Sequence, residues 1–275
     1  MRIRYLGTAA AEGWPALFCQ CEACRKAASL GGKNIRTRAQ AVIDEKILMD
    51  FGPDTYLHML QQGLDLPSIQ TVLITHSHQD HCYPHELLLR GEPYAHGDLG
   101  VLTVYGCAEV KAKYDEAAGQ NDSSNFEQVV RFEEVHEFMP FETAEGYLVT
   151  PLLARHNPQE KCLIYLVEKD GKTIFYGHDS GIYPEETWEY LTGKKIDLVS
   201  FDCTNVLHPD GNYHMGIPAA LQARERFISI GICSEQTQYV ISHFSHNGIL
   251  MHDEIKAVGD RENLLTAWDG FYVDI

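Results

Sequence analysis

The stretch Thr75-His-Ser-His-Gln-Asp-His81 constrains this chain more than any other, because it sets four potential metal ligands within six residues, directly after the apolar run Thr71 to Thr75. Side chains alternate along extended backbone, so His76 and His78 share a side, and the turn that follows can swing Asp80 and His81 toward a second centre. Neutral imidazoles and a carboxylate suit borderline divalent ions such as Zn, Mn, Fe or Co. Four ligands divided between two metals underfill both, so further ligands are expected at other strand ends. The chain supplies them: His156 ends the run Tyr147 to Ala154, Asp179 follows Thr173 to Tyr176, and His243 follows Gln238 to Ser242.

Short apolar runs ending in Gly, Pro, Asp, Ser or His recur along the chain and alternate with helical segments carrying apolar residues at spacings of three and four. Ala41 to Asp50 reads as one strand and Pro84 to Arg90 as a helix, while Glu168-Lys-Asp-Gly-Lys172 signals a hairpin and Gly119 to Asn125 a loop. Helices with a mixed sheet predict an α/β (α+β) layered class, and the absence of repeats or a Pro/Ser-rich linker predicts one domain over residues 1–275. With 22 Lys+Arg against 39 Asp+Glu the formal charge is −17, which argues against a long nucleic-acid footprint. A small anionic substrate stays open, since bound metals reverse the charge of a pocket locally. Neither a secretory apolar core nor an 18-residue apolar span is present, so no membrane partner and a cytoplasmic location are expected. Eight cysteines are too sparse for a disulfide scaffold, and Cys19, Cys21 and Cys24 crowd together, which in a reducing compartment suggests metal.

The array His76, His78, Asp80, His81 resembles the signature of the metallo-β-lactamase superfamily. That resemblance implies a four-layer αββα sandwich with the site at one edge of two packed sheets. It implies that His76, His78 and His156 hold one divalent ion, that Asp80, His81 and His243 hold a second, and that Asp179 bridges them. Asp50, at the end of Ile47-Leu-Met-Asp50, matches the family's early aspartate, which supports the metal loop without being a ligand. The metals implied are Zn or Mn, with Fe as a third option.

Cys19-Gln-Cys21-Glu-Ala-Cys24 offers three thiolates, and His246, three residues after His243, offers a fourth ligand for a tetrahedral zinc. Both halves of this pattern resemble the phosphoribosyl cyclic phosphodiesterase (PhnP-like) branch, where the sulfur-rich zinc is structural; the pyrroloquinoline quinone biosynthesis B proteins are near relatives. A homodimer is also what the resemblance suggests. Two stretches depart from that branch, Ser180-Gly181 and the long Gly91 to Gly100, and both are expected to flank the cleft.

Two divalent ions, two aspartates and one hydroxide leave about one positive charge at such a centre, which suits an anionic phosphodiester attacked by a hydroxide held between the metals. The leaving oxygen needs a proton, and the resemblance implies His214 as the donor, since those phosphodiesterases carry a catalytic histidine just before a helix and His214 precedes the helical Ile217 to Ile230, with His208 its rival and the ligand Asp80 the other candidate catalytic residue. His178 is expected to be structural, since alternation turns it away from Asp179. The leading expectation is therefore a dinuclear phosphodiesterase acting on a small cyclic phosphate or nucleotide. A tRNA 3′-processing-type nuclease, a carbonyl ester or lactone hydrolase, and a metal-binding accessory protein of cofactor biosynthesis are the alternatives.

Overall fold

The computed structural model describes residues 1–275. One mixed sheet contains β1 (Arg2–Gly7), β2 (Gln40–Ile43), β3 (Ile47–Met49), β4 (Thr71–Leu73), β5 (Leu102–Gly106), β6 (Val130–Glu134) and the C-terminal β14 (Tyr272–Asp274), ordered β14-β1-β2-β3-β4-β5-β6. The other contains β7 (Phe141–Glu142), β8 (Leu148–Leu153), β9 (Leu163–Lys169), β10 (Lys172–Gly177), β11 (Leu198–Asp202), β12 (Gln238–Ser242) and β13 (Leu265–Thr266), ordered β13-β12-β11-β10-β9-β8-β7. Helices α1 (Glu22–Leu30), α2 (Thr55–Gln62), α3 (Ala108–Ala118), α4 (Phe126–Val129), α5 (Glu185–Leu191), α6 (Ile217–Ser229) and α7 (His252–Arg261) complete the αββα sandwich.

Strand alternation builds two apolar cores. In β9, Leu163, Tyr165 and Val167 face one way, into a core shared with Ile3, Tyr5, Val72 and Val104 of the other sheet; Ile164 and Leu166 face the other, with Phe175, Trp188, Phe201 and Phe227. Two buried hydrogen bonds cross between the sheets, Tyr5 Oη to Ser200 Oγ at 2.8 Å and Tyr165 Oη to the Ile74 carbonyl at 2.7 Å.

The hairpin read at Asp170-Gly171 forms, with φ of 50° and 74° at its tip. The expected single strand Ala41 to Asp50 is instead two, because Asp44 and Glu45 adopt φ of 51° and 53° and fold β2 back on β3. Pro84–Arg90 is a 3₁₀ helix, tighter than the α-helix its spacing suggests. None of the helices is long and apolar enough to cross a membrane.

β3, β4, β5 and β6 run parallel, as do β10, β11, β12 and β13. The pairings Gly177↔Phe201 and Asp202↔Ser242 bring the carboxyl ends of three strands level, so residues 178–179, 202 and 243 emerge on one edge. Open parallel sheets place their ligands at such ends.

Candidate metal centre

Each predicted ligand leaves one of these strand ends. His76, His78, Asp80 and His81 follow β4, His156 follows β8, Asp179 follows β10 and His243 follows β12. Asp50, Asp179 and His243 have φ of 65°, 49° and 63°. This left-handed region is uncommon outside glycine, though Asp and His are among the residues enriched there, and such departures cluster at functional sites.

The rings of His76, His78 and His156 lie 4.5 to 5.0 Å apart, centroid to centroid. His156 Nε2 and His78 Nδ1 are 3.2 Å apart, close to the ~3.3 Å edge of a tetrahedron with Zn–N bonds of about 2.0–2.1 Å. On the other side, His81 Nε2 lies 2.9 Å from Asp80 Oδ2 and 2.7 Å from Asp179 Oδ2, and His243 Nε2 lies 2.9 Å from Asp179 Oδ2. Asp179 Oδ1 faces His156 Nε2 at 3.7 Å, so the two oxygens of one carboxylate look toward the two groups.

The buried atoms His76 Nε2, His81 Nε2, His243 Nε2 and Asp179 Oδ2 make no hydrogen bond of acceptable geometry. Buried polar atoms are normally satisfied, so four orphans converging on one point fit a cation there. The opposite nitrogens are all tied back. His81 Nδ1 donates to Asp50 Oδ2 at 2.8 Å, His243 Nδ1 meets Thr204 Oγ1 at 2.7 Å, His76 Nδ1 meets Thr75 Oγ1 at 3.0 Å, and His156 Nδ1 donates to the Tyr213 carbonyl at 3.3 Å. Such backing fixes which nitrogen faces a metal.

The electrostatics agree. Burial holds the His76 imidazole well below its ordinary range, in the neutral form a metal requires. Burial also pushes His81 down, yet Asp80, Asp179 and Asp50 outweigh it and hold the ring well above its ordinary range, so these carboxylates demand positive charge. A bound cation would supply that charge and release the proton. The residues therefore fit two divalent ions.

His214 lies beside this centre. Its Nδ1 donates to Asp202 Oδ2 at 2.8 Å and stands 3.7 Å from Asp179 Oδ1, and its ring is 4.8 Å from that of His156. Burial pulls the imidazole down, but the Asp202 carboxylate overrides this and raises it to about 9. Its rival His208 is exposed and accepts from the Asp210 N–H in its own loop. His178 points between the sheets, with Nε2 on Ser200 Oγ at 2.7 Å and its ring against Tyr176, in line with the structural place expected of it.

Asp202 and Thr204 were not singled out from sequence. Asp202 is the strand-end carboxylate of β11, the same signal that exposed Asp179, and Thr204 Oγ1 touches both His214 and His243. The departing stretches separate in space. Ser180 stays with the site, its Oγ accepting the Arg155 N–H at 2.9 Å, whereas Gly91 to Gly100 contributes to a different hollow. That loop packs toward α2, where Tyr94, Ala95 and Leu99 help wall an apolar cavity of about 550 Å³ with Phe51, Tyr56 and Met59, containing none of the ligand residues.

At the N-terminus, Cys19, Cys21, Cys24 and His246 converge, each offering a ligand atom within 4.8 Å of the others. His246 Nδ1 is 3.7 and 3.5 Å from the Cys19 and Cys21 sulfurs, against about 3.6 Å across a tetrahedron with Zn–S near 2.3 Å and Zn–N near 2.0 Å. The Cys24 N–H, with His246 and Cys19, lowers the Cys21 thiol to about 6, toward the thiolate a metal binds.

Residues 45–232 match the model of the beta-lactamase superfamily domain. Ribonuclease Z of Listeria monocytogenes serotype 4b (strain CLIP80459) is 30% identical over 122 residues, 43% of this chain and 39% of that protein, so the chain matches about two fifths of the length of its curated relatives. A crystal structure of a diphosphatase from the PhnP family superposes with a TM-score of 0.75 at 20% identity, covering 100% of this chain and 97% of the other. Zn²⁺-bound PqqB from Methylobacterium extorquens gives 0.72 at 18% identity with 100% of both chains covered, and the short form of human tRNase Z gives 0.67 at 16%, covering 100% and 99%. With a family model spanning well over half of its residues, the αββα sandwich and the His/Asp cluster at the strand ends, the chain belongs to the metallo-β-lactamase superfamily of metal-dependent hydrolases.

Proposed function

We propose that this chain is a dinuclear phosphodiesterase acting on a small cyclic phosphate or nucleotide. The observation that carries the reading is the His214–Asp202 pair beside Asp179: a histidine that donates Nδ1 to a buried carboxylate and stands next to the carboxylate that faces both ligand groups. Two divalent ions, when bound, supply a water made acidic enough to attack at neutral pH and neutralise charge on the phosphoryl oxygens.

The chain's own residues do the rest. His76, His78 and His156 would hold one ion and Asp80, His81 and His243 the other, with the two oxygens of Asp179 facing both groups. His214 gives its proton to the departing oxygen, and Asp202 fixes its tautomer by accepting from Nδ1, which leaves Nε2 for the transfer. Cys19, Cys21, Cys24 and His246 would hold a structural zinc, since four protein ligands fill a tetrahedral site. Among the similar proteins, one is a ribonuclease and another a diphosphatase, so phosphorus is the electrophile in both.

Ribonuclease Z supports a second reading, a nuclease of the tRNA 3′-processing type. The charge of −17 favours the smaller substrate. Metal-loaded protein should turn over bis(p-nitrophenyl) phosphate and a 2′,3′-cyclic nucleotide at rates well above p-nitrophenyl acetate. Faster cleavage of the acetate would overturn the phosphodiester assignment in favour of a carbonyl substrate. Cleavage of a precursor tRNA alone would favour the nuclease.

A further inference from the structure

His78 differs from the other site histidines in lacking the packing that holds a ring in place. Its side chain is 44% exposed, against 1% for His81 and for His243. Nδ1 faces His156 Nε2, and His78 Nε2 has Asn157 Nδ2 at 3.4 Å, a donor that cannot accept the Nε2–H which a metal on Nδ1 leaves, so Nε2 still needs an acceptor for that proton. Glu160, whose own side chain is only 5% exposed, sits with Oε1 at 3.7 Å from that nitrogen. Its Oε2 accepts the Ser77 N–H at 3.0 Å, and its Oε1 accepts from Asn157 Nδ2 at 3.1 Å.

One carboxylate, 83 residues along the chain from Ser77, thus ties Ser77, between His76 and His78, to Asn157, next to His156. A carboxylate is a costly choice for two neutral hydrogen bonds, because an almost buried charge is unfavourable unless a positive partner faces it. Lys113 helps only indirectly, by donating to the Ser77 carbonyl. The partner in direct line is the His78 imidazole, which gains positive character once Nδ1 holds a cation. Asp50 behind the ligand His81 is a tighter pair of the same kind, at 2.8 Å against 3.7 Å here.

We propose that Glu160 is a positioning residue. It holds His78 with Nδ1 inward and locks the loops after β4 and β8 together, so that the site formed by His76, His78 and His156 fills. This rests on the dinuclear reading above.

The test compares wild type, Glu160→Gln and Glu160→Ala, each stripped of metal and titrated with Co²⁺ and with Zn²⁺ against a chromophoric chelator. Glu160→Gln can still accept from Ser77, so a merely structural tie would leave it like wild type. The expected result is a 10–100-fold weaker affinity for one of the two ions at the centre, with a changed Co²⁺ visible spectrum for that ion, the other sites unaltered and metal-free melting unchanged. Wild-type affinities and spectrum in Glu160→Gln, with loss of stability confined to Glu160→Ala, would overturn the proposal and leave the dinuclear reading intact. Fewer than two ions at this centre in wild type would overturn both.

Discussion

Replacing Asp50 by asparagine tests the centre without emptying it. The carboxylate is fully buried and accepts three hydrogen bonds: from the Thr75 N–H at 2.8 Å and the Thr75 Oγ1 hydroxyl at 2.9 Å on one oxygen, and from His81 Nδ1 at 2.8 Å on the other. Asparagine fits the same volume but has one acceptor oxygen. With its oxygen toward Thr75, the amide opposes His81 Nδ1, and the ring must move its proton to Nε2, the nitrogen that faces the second metal. With its oxygen toward His81, the amide opposes the Thr75 N–H. A lost charge-assisted hydrogen bond is worth about 1.5–3 kcal/mol, so the metal at Asp80, His81 and His243 should bind roughly 10–150-fold more weakly. Elemental analysis of Asp50→Asn protein dialysed against a graded series of chelator concentrations reads this directly, with melting of the metal-free protein as control. Loss of one ion per chain at a chelator level that wild type survives is expected. Affinity within threefold of wild type would refute the argument that Asp50 sets the His81 tautomer.

Other outcomes follow from the same geometry. His246→Ala should lose one metal and melt at lower temperature while keeping the two ions of the His/Asp centre, checked by metal content and calorimetry. His214→Ala should keep full metal content and lose about 10²–10⁴-fold in kcat on phosphodiesters, the usual range for general acid catalysis. The proton His214 donates is lost as pH rises, so wild-type kcat should fall on the alkaline side, and Asp202→Asn should move this basic limb down because the carboxylate is what raises the imidazole against burial. An unmoved limb would mean another group is the acid. Burial lowers His58 to about 4, and it is bonded to Gln40 and Thr37. The unfolded chain therefore takes up the proton first, and stability is full above about pH 6.5 and drains as pH falls toward 4, by up to about 3 kcal/mol. In His58→Gln, denaturant melts across that window should show a flatter pH slope.

The candidate ligands legible in sequence were those whose meaning is local. His76, His78, Asp80 and His81 stand on one turn, and His156, Asp179 and His243 each close an apolar run, so spacing and strand ends were enough. Asp202 closes such a run too, but its role depends on β11 lying between β10 and β12 with its end level with both, which is a fact of sheet order. Thr204 sits in an irregular loop without a periodic signal. The outer strands of both sheets, β6, β7, β13 and β14, carry no comparable signal, because short or half-exposed stretches such as Val130-Arg-Phe-Glu-Glu134 lack the apolar density of the central ones. The Ala41 to Asp50 run misled because Asp44 and Glu45 turn the chain in a conformation that side-chain character alone does not announce.

The level ends of β10, β11 and β12 carry a consequence for how such a chain can diverge. Adding or deleting one residue within any of these strands would shift its end by about 3.3 Å and turn its terminal side chain to the opposite face. A point substitution elsewhere in the strand leaves that side chain where it was. That edge is therefore protected against changes of kind but not of number, and an insertion should be better tolerated in a loop such as Gly91 to Gly100, which joins no two of these strands. Length variation among descendants of this sequence should accumulate there, and new specificities would arise by growing loops around strands whose residue count stays fixed.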